Sequence, residues 1–191
     1  MGDVVVTEFI SLDGVIEDPG GSEDFKYGGW SFEFDRGEEG DKFKLDETLA
    51  SEALLLGRVT YEGFAEAWPS RTDEAGFAEK FNSMPKYVVS STLKDPEWNN
   101  SQVLDGDVVE AVTELKERID GDIVVHGSAQ LAQHLLEHDL VDELRLMVFP
   151  VVLGDGKRMF GATSDKKTLR LADSKTVGDG VAILTYRRAQ S

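Results

Sequence analysis

The chain has 191 residues, with 37 Asp and Glu against 20 Lys and Arg, a formal charge of −17, and no cysteine. This length can bury a proper core as one domain over residues 1–191, while the acidic balance excludes a surface that grips nucleic acid or anionic membrane as a whole. The lack of cysteine excludes a disulfide framework and a thiolate-bound metal. The absence of an apolar run near ~18 residues and of signal-peptide character in MGDVVVTEF leads to the expectation of a cytoplasmic protein.

Val4–Ile10 (VVVTEFI) is rich in β-branched residues and runs into the turn signal Ser11-Leu12-Asp13-Gly14, so a strand is expected there. Residues 18–40 are Gly-rich without helical periodicity and read as a long ordered loop. Within it, Trp30, Phe32 and Phe34 alternate, which would put three rings on one side of an extended segment, as a stacking platform or as anchors for the loop. Residues 41–53 carry Phe43, Leu45, Leu49 and Ala53 at helical spacing, and Ala53–Gly57 reads as a buried strand. A helix over 73–84 and a strand over 86–91 follow. Next come a helix over 108–119, a strand over 122–126 and a helix over 128–138. Thereafter residues 143–150, 168–177 and 181–188 read as consecutive strands. Alternating β and α followed by β alone predicts a mainly parallel sheet with an antiparallel edge.

Three strand ends offer groups that suit phosphate, and ligands of open α/β sheets bind outside the carboxyl ends of strands. At His126-Gly127-Ser128-Ala129-Gln130 a strand turns into a helix. Free N–H groups and the positive end of the helix dipole could hold an anion there, although every parallel strand–helix unit needs such a turn. At Gly57-Arg58-Val59-Thr60 a glycine permits close approach and a guanidinium suits a phosphate ester, unless Arg58 simply pairs with a nearby acid. Ser90 and Ser91 follow a strand and can bond ribose or phosphate, or start a turn. His134 and His138 have i,i+4 spacing, but HLLEH is not a zinc motif, and no metal is expected.

Taken in order, SLDG (11–14), LLLGRVTYE (54–62), YVVSSTL (87–93) and VVHGSAQLAQHLLEHDLVDELRLMVFPVVLGDGKRMF (124–160) resemble the dihydrofolate reductase-like family. The specific branch is the one related to the reductase domain of riboflavin biosynthesis. The resemblance implies an α/β, three-layer fold: a mixed, mainly parallel sheet flanked by helices, with a C-terminal antiparallel hairpin. It also implies NADPH as cofactor and a homodimer. Carried over by motif, Gly57, Arg58 and Thr60 would face the cofactor's phosphates, and Ser90 and Ser91 the adenosine ribose and its 2′-phosphate. Gly127, Ser128, Ala129 and Gln130 would cradle the diphosphate, Asp13 and Gly14 would line the nicotinamide end, and His126 would face substrate.

Two departures stand out. Many members carry Gly-Gly where this chain has Gly127-Ser128; serine fits that turn at negative φ. Dihydrofolate reductases keep a substrate-binding acid on the helix before Gly-Arg-x-Thr, and Asp41, Asp46 and Glu47 lie on that segment. Asp41 is the preferred choice, with a plain helix-start acid as its alternative. The reading is an NADPH-dependent reductase of a small planar substrate, pteridine- or pyrimidine-like, with Asp41, His126 or water supplying the proton. Its rivals are a non-catalytic nucleotide-binding module or sensor, and a flavin-using reductase.

Overall fold

The computed structural model describes residues 1–189. Eight strands form one sheet: β1 (Asp3–Ile10), β2 (Ser51–Gly57), β3 (Lys86–Val89), β4 (Ser101–Leu104), β5 (Asp122–His126), β6 (Glu143–Val148), β7 (Leu169–Val177) and β8 (Val181–Arg188). Their order across the sheet is β4-β3-β2-β5-β1-β6-β8-β7. All neighbours from β4 to β6 pair in parallel, and β8 is antiparallel to both β6 and β7. The expected mixed sheet with its C-terminal hairpin is therefore present.

Helices α4 (Val108–Arg118) and α5 (Ala129–Glu137) pack on one face, where Val4, Val6, Leu55, Ile123 and Val125 meet Val112, Leu115, Leu131 and Leu135. On the other face, Val5, Leu54, Leu56 and Val124 pack with Tyr61 of α2 (Arg58–Ala67) and Phe81 of α3 (Phe77–Ser83). That face also carries α1 (Gly37–Ala50). Local chemistry sets the helix starts. The Asp107 carboxylate accepts the Glu110 N–H ahead of α4, and Asp73 accepts from Gly76, Phe77 and Ala78 ahead of α3.

Four elements differ from expectation. Helix α2 and strand β4 were not anticipated, since RVTYEGFAEA opens on β-branched residues and SQVL is too short to show a period. Helix α1 starts earlier and turns a different face inward. Its buried residues are Gly40, Lys44, Glu47 and Thr48, whereas Leu49, expected in the core, is 46% exposed. The Trp30–Phe34 segment is not extended either: Trp30–Glu33 form a single 3₁₀ turn.

The loop before α1 is organised around buried Asp18, whose carboxylate accepts the N–H groups of Ser22 and Phe25. At its far end the β7–β8 hairpin holds the start of α1. Asp179 N–H donates to the Asp35 carbonyl at 2.7 Å, and Asp35 N–H donates to the Asp179 carboxylate at 2.9 Å. Gly178 has φ +51, and a Cβ there would lie 2.0 Å from the Asp35 carbonyl oxygen. Gly178→Ala therefore clashes with backbone that cannot yield, and is expected to destabilise by about 3 kcal/mol. A melting point lower on the order of 10 °C in a thermal scan would match that loss.

Candidate functional site

Beginning from β1, the chain runs to β2, β3 and β4 on one side, then returns to insert β5 beside β1 and places β6 on β1's other edge. This reversal leaves the carboxyl ends of β1, β2, β3 and β5 uncovered. They open onto a cavity of about 1470 Å³ lined by Thr7–Phe9, Gly57–Thr60, Val89–Thr92 and His126–Gln130, among others.

The β5–α5 turn and the β2–α2 turn are tied together by one hydroxyl. Ser128 Oγ accepts the Gly57 N–H at 2.8 Å and donates to Thr60 Oγ1 at 3.0 Å. Gly127 and Ser128 both have left-handed backbone, φ +57 and +58. The negative φ expected for a serine here is thus corrected. Left-handed backbone costs an L-residue about 1–2 kcal/mol, and the two hydrogen bonds offset it. A Cβ on Gly127 would sit 2.9 Å from Thr60 Oγ1, so this turn accepts only glycine at its first position. Helix α5 leaves its first-turn N–H groups, at Ala129 and Gln130, without intrahelical partners beside the cavity.

Two polar groups at the strand ends have an enclosed atom with no partner. Glu8 is 5% exposed; its Oε2 accepts the Gly127 N–H at 3.2 Å, and its Oε1 is unpartnered. Burial pushes the Glu8 carboxyl well above its ordinary value, against the opposing pull of Lys44 and of the Gly127 bond. His126 lies between the rings of Phe64 and Phe81, at 5.9 and 5.7 Å, with Nε2 unpartnered. Burial, helped by Lys44, holds the imidazole well below its usual pKa, so it is neutral.

On the α1 side, Lys44 Nζ donates to Thr7 Oγ1 at 2.9 Å and pairs with Glu47 at 3.1 Å, while Thr7 Oγ1 donates to Glu47 at 3.0 Å. Lys44 also lies 5.3 Å from the Phe9 ring, with Arg36 at 5.2 Å from the same ring. Thr7, Lys44 and Glu47 are buried, and a buried ion pair needs such extra hydrogen bonds to hold.

The structure brings most of the expected residues to the cavity: Gly57, Arg58, Thr60, Ser90, Ser91, His126, Gly127, Ser128, Ala129, Gln130, Asp41, Phe32 and Phe34. Their condition varies. Arg58 is paired with Glu62 at 2.9 Å on the helix surface. Ser90 Oγ accepts the N–H groups of Thr92 and Leu93 in a turn. Asp41 is exposed and paired with Arg36 at 2.6 Å.

Three residues lie elsewhere. Asp13 and Gly14 are outside the lining, because the Asp13 carboxylate accepts from Ser11 Oγ and from the N–H groups of Leu153 and Gly154. Those bonds lower it to about 2, the Ser11 hydroxyl acting most strongly. The lining instead takes Ile16 and Glu17 from the same segment. Trp30 is 1% exposed, its indole N–H bonded to the Glu17 carbonyl and its ring edge-on to Phe149, so the three-ring platform does not form. The 3₁₀ turn sends Trp30 inward and leaves Phe32 79% exposed at the mouth.

Sequence reasoning missed Glu8 and Lys44. The available signal was position: a strand of a parallel sheet is buried on both faces, so any acid within VVVTEFI had to be buried.

Together the mixed sheet and the helices on both of its faces define a doubly wound α/β fold with a cleft at its strand ends. The chain belongs to the family described as the RibD C-terminal domain, whose model matches residues 3–183. It carries the reductase-like fold of the riboflavin-pathway type. Among curated proteins it is similar to the uncharacterized Bacillus subtilis (strain 168) protein YyaP, 27% identical over 186 residues that cover 96% of this chain and 93% of that one. YwjB, an uncharacterized protein of the same strain, is 28% identical over 180 residues, covering 94% of each. A candidate riboflavin biosynthesis protein from Shewanella sp. PV-4 superimposes with TM-score 0.77 at 22% identity, over 98% of this chain and 99% of that one. A Thermotoga maritima diaminohydroxyphosphoribosylaminopyrimidine deaminase/5-amino-6-(5-phosphoribosylamino)uracil reductase gives TM-score 0.64 at 17% identity. It covers 98% of this chain and 57% of that one.

The Ser128 clasp is testable by stability alone. Ser128→Ala keeps the left-handed strain and loses both bonds, a loss of about 1–2 kcal/mol. Ser128→Gly loses the same bonds but relieves the strain, and is expected to lie about 1 kcal/mol above the alanine variant in urea denaturation.

Proposed function

We propose that this protein is an NADPH-dependent reductase of a small planar heterocycle, pteridine- or pyrimidine-like. The observation that carries the reading is the shared cleft of the two glycine turns and the α5 start. At about 1470 Å³ it exceeds the roughly 300–1,000 Å³ of an ordinary small-molecule pocket, and so has room for a dinucleotide and a second ring.

The donor set fits a dinucleotide phosphate in a protein of net charge −17. Gly127 admits close approach, and the N–H groups of Ala129 and Gln130 present the positive end of α5 to a diphosphate. Arg58 would exchange Glu62 for phosphate; an exposed i,i+4 pair is worth only about 0.3–0.5 kcal/mol and gives way readily. Ser90 and Ser91 would lie at the adenosine ribose and its 2′-phosphate. Bound in this way, NADPH supplies the hydride. The chain's own residues would orient the substrate: Phe9, Phe34 and Phe64 line the space for a planar ring, and the unpartnered Nε2 of His126 would offer it a hydrogen bond. Asp41 is exposed at the cavity, within reach of water. The uracil reductase named in the Thermotoga relative supports the pyrimidine choice. A cytoplasmic homodimer is part of this reading, and β7, an edge strand exposed along most of its length, is the surface offered for it.

Trp68 lines the cavity, so a titration of NADPH followed by tryptophan emission reads binding directly. Saturable quenching is expected, and Arg58→Ala should weaken it by about tenfold, the scale of a hydrogen bond to a charged group. Failure to saturate at millimolar NADPH overturns the reading. His126→Phe should hold the NADPH affinity within about twofold yet lower kcat/KM by about tenfold for the pteridine or pyrimidine that the wild type reduces. NADPH absorbance measures that loss.

A further inference from the structure

The Glu8 carboxyl has no part in the dinucleotide contacts described above, yet it is a buried acid of the cleft with an unpartnered oxygen. Its Oε2 is held by the Gly127 N–H, in the turn offered to the diphosphate, and its Oε1 is enclosed and unpartnered beside the cavity. Three residues further along the same chain comes Ser11, and the Ile16–Glu17 segment beyond it lines the same cavity. A ligand reaching from the start of α5 to that segment must cross the end of β1 and pass Glu8.

We propose that Glu8 serves as a neutral carboxylic acid whose Oε1–H donates a hydrogen bond to the uncharged nicotinamide riboside part of the cofactor, between its diphosphate and its ring. This rests on the NADPH reading and adds a contact and a pH dependence to it. An ionised carboxylate in that place would face the diphosphate across Gly127, and like charges that close repel. Binding therefore requires the protonated form, and the cofactor raises the proton affinity of Glu8 further.

The charged groups around Glu8 are few. Lys44 and Glu47 come from α1 and are paired to each other. His126, at the end of adjacent β5, is neutral. Arg145 on β6 is committed to Asp122 and Glu143, and the first turn of α5 holds no titratable side chain. The sign follows from linkage. A carboxyl raised in the free protein and raised again by cofactor leaves affinity intact at low pH. As pH climbs above the free-protein value, the affinity falls, approaching about tenfold per unit.

The test measures the NADPH dissociation constant of the wild type and of Glu8→Gln from about pH 5 to about pH 8, where folded proteins are usually most stable. It is coupled with a carbon-13 titration of the Glu8 carboxyl in the free and NADPH-bound wild type. Glutamine keeps the shape, the Gly127 acceptor and a donor, so the variant should bind with a flatter profile. Contributions from the 2′-phosphate and His126 are common to both proteins and cancel. The Glu8 resonance should titrate above the ordinary glutamate range and move higher when NADPH is added. Superimposed, saturable profiles for the two proteins overturn the proposal, as does a Glu8 carboxyl whose pKa NADPH does not raise. If Glu8→Gln fails to fold, the wild-type titration alone decides. Absence of saturation in the wild type is a separate result, and removes the cofactor reading itself together with this one.

Discussion

Two adjacent polar residues, Thr7 and Glu8, interrupt the apolar run of β1 that follows Asp3, and both faces of the sheet are arranged around them. β1 pairs with β5 on one edge and β6 on the other, both in parallel, so neither residue can reach water along the sheet. Alternation sends the two side chains to opposite faces. Thr7 meets α1, and its hydroxyl is satisfied by Lys44 and Glu47. Glu8 meets the β5–α5 turn and takes the Gly127 N–H. A buried polar group without a partner costs on the order of 1–3 kcal/mol, which is why α1 turns its polar residues inward and leaves Leu49 in solvent.

That inversion of α1 connects packing to chemistry. A helix with an apolar inner face would have sealed the end of β1 with hydrocarbon. With Lys44 and Thr48 inward, the wall that it gives the cavity is polar and cationic, laid over the Phe9 ring. The opposite wall is aromatic, with Phe64, Trp68 and Phe81 gathered around His126. In the proposed function, it is the planar ring of the substrate that would lie between these two walls. The net charge of the protein is thereby separated from the character of its site: the lining interleaves bases such as Arg36, Lys44, Arg58 and Arg158 with the acids, whereas the chain as a whole holds 37 acids against 20 bases.

How much of this was legible in the sequence depends on where each residue's environment is set. β1, β5, β6 and β8 announce themselves, because β-branched runs bounded by turns have few other uses. The order of elements was enough to predict the parallel sheet and its antiparallel end, and the family motifs located the turns at Gly57 and Gly127. Faces were harder. Phe43, Leu45 and Leu49 form a credible apolar stripe, yet tertiary demand from Thr7 outweighs the periodicity. Trp30 and Phe32 stand two apart, which separates their sides in a 3₁₀ turn and unites them only in a strand. Ser128 lies in a backbone region that serine seldom enters, and the compensating partners, Gly57 and Thr60, are about 70 residues away in the chain. A local reading cannot see a partner at that separation.

The same geometry explains why the Gly-Ser turn differs in kind from a Gly-Gly one. With glycine at both positions the Gly57 N–H would be free to face a phosphate, adding a donor to the cradle. Here the Ser128 hydroxyl occupies that N–H and links β2 to β5 through Thr60, so the two turns form one rigid unit before any ligand arrives. Rigidity of this kind reduces the entropy lost when a ligand is ordered against it, and it offsets a missing donor. Glu8 closes the unit from below through the Gly127 N–H. The β5–α5 turn is therefore supported by one hydroxyl and one buried carboxyl. Of the two, only the carboxyl changes its charge with pH.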